Sequence, residues 1–282
     1  MAKALRTVGK VAGIISTIAI AVGRPEIAAI AAAVATPAAL AAPITGKPPM
    51  SAVNVFTDNR RAYLATDGAA FNCDTGAIAE LGSKAVMMPS LHMAFAVTGR
   101  GYPGPIIAAL DRHVSPVREL TQGAILQAMP AAVREVRYRL AVDWPDDEAR
   151  GHNQVRVFIA AYDRIRARPR ALSIISDPIG DEPPGDAYRL REIEGYVSPA
   201  LDPATIKRLL PHGYITDPKA DARRILEEQR RVPFAGLGGR CGVGGTCEFY
   251  TVSRKGVEAE QIVRFPEVVG EVPNPGTPGQ LI

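Results

Sequence analysis

Residues 11–45 narrow what this chain can be more than any other stretch. Two apolar runs, 11–23 and 27–43, hold thirteen alanines between residues 11 and 45 and are parted by Arg24-Pro25-Glu26. Helices built from them would be apolar on most faces, so the segment must be covered by copies of itself, by another protein or by a membrane. Neither run reaches the roughly 20 apolar residues of a bilayer span. Joined, they would bury Arg24 and Glu26 near the centre with Pro25 between them. Lys3, Arg6 and Lys10 ahead of the runs and Ala41-Ala42-Pro43 behind them have the layout of a secretory signal. The charged break falls mid-run, however, and the expectation is that the segment stays attached. Alanine favours helix and lets helices approach closely. Residues 1–46 are therefore read as an assembly element: a helix, a turn at Gly23-Arg24-Pro25, and a second helix interrupted at Pro37. Ile14, Ile15, Ile18, Ile27, Ile30 and Val34 supply its sticky face. A membrane-active version of the same segment is the alternative.

Residues 47–50 form a Pro-rich joint, because Pro48 and Pro49 remove donors and hold the backbone extended. Charge divides at the same place. The first 50 residues carry the whole formal net charge of +4, while residues 51–282 hold 28 basic and 28 acidic side chains. A balanced body lacks the dense basic surface that nucleic acid requires, so no nucleic-acid partner is expected. Arg164, Arg166, Arg168 and Arg170 recur with period two and read as the wet face of a strand or ribbon.

Along the body, residues 51–56 and 61–66 predict a hairpin turned at Thr57-Asp58-Asn59-Arg60. Residues 69–83 read as looser, turn-marked chain. Residues 84–88 and 93–97 predict a second strand pair around Pro89-Ser90, followed by helices over 106–113 and 116–138. Strands are expected at 155–162, 171–176 and 187–196, and helices at 203–210 and 217–230, where Asp217-Pro218 is a cap-and-first-turn pair. A Gly-rich loop over 236–246 leads into a closing pair, 247–252 and 260–265, with a Pro/Gly-punctuated tail from 267 to 282. Hairpins at both ends argue against a plain parallel sheet. The fold class expected for 51–266 is α+β: a four-layer αββα sandwich of two antiparallel sheets with helices outside.

Ser51-Ala52-Val53-Asn54-Val55-Phe56, Tyr63-Leu64-Ala65-Thr66-Asp67-Gly68, Ser83-Lys84-Ala85-Val86 and Phe95-Ala96-Val97-Thr98-Gly99 follow one another in an order that resembles the opening of proteasome-like β-subunits. These are members of the N-terminal nucleophile hydrolase superfamily. The resemblance covers about 51–115 in some detail and 235–266 loosely. It implies Ser51 as nucleophile, Asp67 as supporting acid, Lys84 as the lysine that tunes the base, and oxyanion donors near Gly99. In such a site a free α-amine takes the proton of its own residue's hydroxyl, which then attacks an amide. Here Met50 acylates that amine. An amide nitrogen is no base, so the joined chain is expected to be inactive by this route. Without catalysis, Asp67 and Lys84 would be a turn-fixing ion pair.

The whole chain, an apolar arm and Pro-rich joint ahead of such a domain, resembles structural proteins of siphophage and prophage tail modules. That resemblance implies a virion component of the tail tip or baseplate, made in the host cytoplasm, with other tail proteins and copies of itself as partners. Its body would serve as scaffold and its arm would oligomerise. The alternatives are an amidohydrolase or peptidase released by cleavage before Ser51, and a tail component whose arm enters the host membrane.

Other residues offer chemistry with less pattern behind it. Cys241 and Cys247 flank the glycine loop and suit either a disulfide or two free thiols, and Cys73 stands alone. No Cys or His spacing completes a metal site, and the glycine loop lacks the lysine and hydroxyl of a phosphate loop, so no cofactor or metal is expected. His92, near the supposed cleft, is the least ordinary of four dispersed histidines. Asp143, Asp146, Asp147 and Glu148 read as a solvated acidic loop.

Overall fold

The computed structural model describes residues 51–72, 74–100, 103–115, 120–149, 153–177, 186–233 and 239–282. The assembly segment read over 1–46, with Ile14, Ile15, Ile18, Ile27, Ile30 and Val34, lies outside the described residues, as does Cys73. Among the described residues no helix is long and apolar enough to cross a membrane.

The expected first hairpin forms as β1 (Val53–Thr57) and β2 (Ala62–Thr66). Asp58 makes its turn, since one carboxylate oxygen accepts the N–H groups of Arg60 and Arg61 at 2.6 and 2.7 Å while the other accepts the Tyr63 hydroxyl at 2.7 Å. The pair lies within a six-stranded sheet that includes β10 (Gly195–Ser198), β11 (Thr246–Ser253), β12 (Gly256–Arg264) and β13 (Gln280–Leu281), in the order β10-β1-β2-β11-β12-β13. A second sheet runs β5 (Ala85–Met88), β6 (Met93–Gly99), β7 (Val155–Asp163), β8 (Arg168–Ile175) and β9 (Arg191–Ile193). Neighbouring strands in both are antiparallel. The architecture is α+β.

Period-two burial explains how the sheets are covered. Val53, Val55, Leu64, Tyr250 and Val252 of the first sheet share a core with Ala94, Ala96, Phe158 and Ala160 of the second. Alanines on the facing strands let the two sheets approach. The alternate residues of β6, β7 and β8, among them Phe95, Val97, Val157, Ile159 and Leu172, pack on α1 (Pro103–Val114) and α2 (Gln122–Asp143). On the far side, Ala65, Cys247 and Phe249 meet Ala222 and Leu226 of α5 (Pro218–Arg231). A buried amide pair fixes that helix to β1: Asn54 and Gln229 exchange hydrogen bonds of 2.9 and 3.0 Å.

Several elements differ from the sequence reading. Residues 69–83 were expected to be loose but hold a small hairpin, β3 (Ala69–Phe71) and β4 (Ile78–Leu81), whose Ala69, Phe71 and Ile78 make their own buried cluster. The second helix was expected from 116; α2 begins at Gln122, because Thr121 caps it by accepting the Ala124 N–H at 3.1 Å. Pro130 lies inside it without ending it. The single strand expected over 187–196 is two short ones, β9 and β10, which belong to different sheets. The arginine run also divides. Arg168 and Arg170 lie on β8 and both engage Glu192, whereas Arg164 and Arg166 occupy the β7–β8 turn. Short helices α3 (Pro145–Ala149) and α4 (Pro203–Leu209) complete the chain. In α3, Glu148 is paired to Arg137 at 2.5 Å and is no loose acid.

Candidate functional site

β1 and β2 bring the two ends of the motif together. Thr66 pairs with Val53, and beyond that pair the Asp67 N–H donates to the Ala52 carbonyl at 3.2 Å. Asp67 is fully buried. Its Oδ1 accepts the Ala52 N–H at 2.9 Å and the Lys84 ammonium at 2.6 Å; its Oδ2 accepts the N–H groups of Ala69 and Gly244 at 3.3 and 3.2 Å. Gly68 is required next to it, since a Cβ there would lie 2.5 Å from the Thr246 carbonyl oxygen. Ser51, also buried, is joined to Ala52 by the peptide whose N–H reaches Asp67. Lys84 and that peptide therefore share one carboxylate oxygen and lie within two hydrogen-bond lengths of each other.

Burial pushes the Asp67 carboxyl above its ordinary range, and the Lys84 ammonium and the Gly244 and Ala69 N–H groups oppose that push. Lys84 retains a little exposure, its side chain being 12% accessible. Its carbonyl accepts the Val97 N–H at 3.1 Å, so β6 holds the residue in place. The structure thus brings Asp67 and Lys84 together beside Ser51.

Gly99 lies two residues beyond Val97, at the same end of the second sheet. Its φ is +84°, and a Cβ would fall 2.1 Å from the Gln154 carbonyl oxygen. Gln154 also accepts the Arg100 N–H at 2.9 Å, so that amide is committed and offers nothing to an oxyanion. Gly99→Ala is expected to destabilise the fold by about 3 kcal/mol or more, read as a lowered urea midpoint, because both the left-handed backbone and the overlap oppose it.

His92 does not join this group. It follows the turn at the opposite end of β5 and its Nδ1 lies 3.0 Å from the Ser253 carbonyl oxygen. The disulfide weighed for Cys241 and Cys247 is absent: both are free, buried thiols. Cys241 Sγ donates to the Val243 carbonyl at 3.0 Å, and burial pushes the Cys247 thiol well up, so neither is poised as a nucleophile. Among the described residues no group of three His, Cys, Asp or Glu side chains could hold a metal.

Two features of the site were not anticipated. Arg230, side chain 1% exposed, donates to the Val243 carbonyl at 2.7 Å and pairs with Glu267, which braces the loop that delivers the Gly244 N–H to Asp67. Glu248, on β11, accepts the Ser83 and Tyr250 hydroxyls at 2.6 and 2.7 Å. The signal for Glu248 is in its strand: an acid on the same alternating face as Tyr250 and Val252, which pack between the sheets.

Compared with known proteins, the chain matches no family model and no curated protein.

Proposed function

We propose that residues 51–266 are an N-terminal-nucleophile-type amidohydrolase domain, a four-layer αββα sandwich, kept latent by the Met50–Ser51 bond. One observation carries the reading: a single buried carboxylate oxygen of Asp67 binds both the Lys84 ammonium and the peptide N–H that follows Ser51. A turn-fixing ion pair has no need to terminate beside a serine just ahead of the first strand.

In the joined chain the Ser51 nitrogen is an amide and cannot take a proton. Once the bond is cut, the new α-amine, ordinarily near pKa 8, is lowered by the adjacent Lys84 cation and is free to act as base. It accepts the Ser51 hydroxyl proton as Oγ attacks a substrate amide carbonyl. The same proton passes to the departing amine, leaving an ester on Ser51, and water then releases the acid and regenerates the hydroxyl. A peptidyl β-lactone, opened by Oγ to an ester, tests this directly. Intact mass should show one adduct, mapped to Ser51, on chain cut before Ser51 and none on joined chain. An unmodified Ser51 in the cut chain contradicts the reading.

The second reading keeps the bond intact and uses the domain as scaffold in a phage tail tip or baseplate. The exposed Val268, Val269, Val272, Leu281 and Ile282 near the C-terminus favour it, since they offer apolar surface to neighbouring copies or tail proteins. Removal of residues 1–46 should then abolish oligomerisation, measured by light scattering; an unchanged assembly contradicts it.

A further inference from the structure

On the face of the first sheet that looks at the second, one row of paired residues carries two polar neighbours, Thr66 and Glu248. Val53 of β1 pairs with Thr66 of β2, and Thr66 pairs with Glu248 of β11. Val53 and Tyr250 pack in the core between the sheets, which fixes the facing direction of the row, and Ser51 precedes Val53 by two residues on the same side of the chain. Ser83 and Lys84 are adjacent, and they reach across from the edge of the second sheet to two groups that flank Thr66: Lys84 to Asp67, the next residue in the chain, and Ser83 to Glu248, its partner across the strands. The carboxylate of Glu248 is therefore tethered next to the Ser51–Lys84 centre.

That carboxylate is oddly equipped for a structural role. Both hydroxyl donors end on Oε2, and among the described residues no cation pairs with Glu248 and no hydrogen bond ends on Oε1. Tyr250 is buried and its hydroxyl is pushed to high pKa by burial and by Glu248, so it remains a donor and cannot supply charge. Beside Glu248 in the row, the hydroxyl of Thr66 is fully buried and finds no partner among the described residues. A fixed anion with a free oxygen, next to an unused hydroxyl acceptor, has the chemistry of a receptor for a primary ammonium.

We propose that Glu248, held by Ser83 and Tyr250 and flanked by Thr66, binds the ammonium of a lysine-type side chain of the substrate, and so selects lysine next to the amide presented to Ser51. This rests on the hydrolase reading above and adds its substrate class. The ammonium of that side chain donates to Glu248 Oε1 and to Thr66 Oγ1. A neutral side chain of the same length would leave both acceptors unanswered.

The test uses the full chain with a site-specific protease sequence replacing residues 47–50, so that folded protein is cut before Ser51 with the arm still present. Coumarin amides of N-acetyl-lysine and N-acetyl-norleucine are compared by kcat/KM. Lysine should be preferred by about tenfold or more, as expected for hydrogen bonds to a charged partner, and Glu248→Gln should bring the ratio to near one. Glu248→Asp should retain part of it. Hydrolysis of both amides without preference overturns the ammonium site while leaving the hydrolase reading intact. If neither amide is hydrolysed, the hydrolase reading falls, and calorimetric binding of N-acetyl-lysine methylamide decides the site separately. Binding that Glu248→Gln removes upholds it, and binding no tighter than that of the norleucine analogue overturns it.

Discussion

In chain cut before Ser51, Lys84→Ala is expected to lower amide hydrolysis by about 10²–10⁴-fold, the range for removing a group that tunes a catalytic base. The same change strands Asp67, which is fully buried and would keep only its backbone donors. Breaking a buried pair from one side costs about 3–5 kcal/mol, so the urea midpoint should fall as well. Asp67→Asn separates the two effects: it removes the buried charge but keeps an oxygen for the Ala52 N–H, and should lose activity with a smaller loss of stability. pH gives a further signature. Activity requires the ionised carboxylate to hold Lys84, and burial raises the Asp67 carboxyl. Activity should therefore fall with acid above the ordinary aspartate range. Folding has the opposite sign on this group. A carboxyl whose folded pKa is raised contributes stability that is fully present below its unfolded pKa and lost as pH rises through the folded one.

Arg230→Ala is expected to destabilise the protein by about 3–5 kcal/mol, measured by urea denaturation, for a reason that lies in the C-terminal segment. The guanidinium lies 4.2 Å from the Phe265 ring centroid, pairs with Glu267 and donates to the Asn274 and Val243 carbonyls, both at 2.7 Å. Its loss leaves Glu267 buried without its partner and takes one donor from each of the Val243 and Asn274 carbonyls. Adding Glu267→Gln should recover part of the loss, because the stranded charge is then gone. Since Val243 precedes the Gly244 that donates to Asp67, activity of cut chain should drop too, although Arg230 touches none of the reacting groups.

The strands legible in the sequence were those with clean alternation and a strong turn. The first hairpin is one, with Asp58 already set to accept two backbone N–H groups. Asp67 and Lys84 were legible as a candidate pair through their place after β2 and before β5, and the side chains do meet at 2.6 Å. Illegible parts depend on tertiary partners. Ala69, Phe71 and Ile78 are too few to announce a hairpin, yet they form one, and the C-terminal chain docks on it: the Ile78 N–H donates to the Glu271 carbonyl at 2.8 Å. Arg230 reads as one more charge on a polar helix face until Glu267 and Phe265 arrive from beyond β12. The change of sheet between β9 and β10 leaves no mark in composition, because both strands are short and partly polar.

The central claim is that one bond separates a silent chain from a hydrolase. The most direct test follows amide hydrolysis in a single sample as folded full-length chain is cut between Met50 and Ser51. Activity should rise in proportion to the chain that begins with Ser51, and should be missing from the Ser51→Ala chain cut at the same place. A rate that stays at background after complete cutting, or one that is already present in the joined chain, would contradict the account.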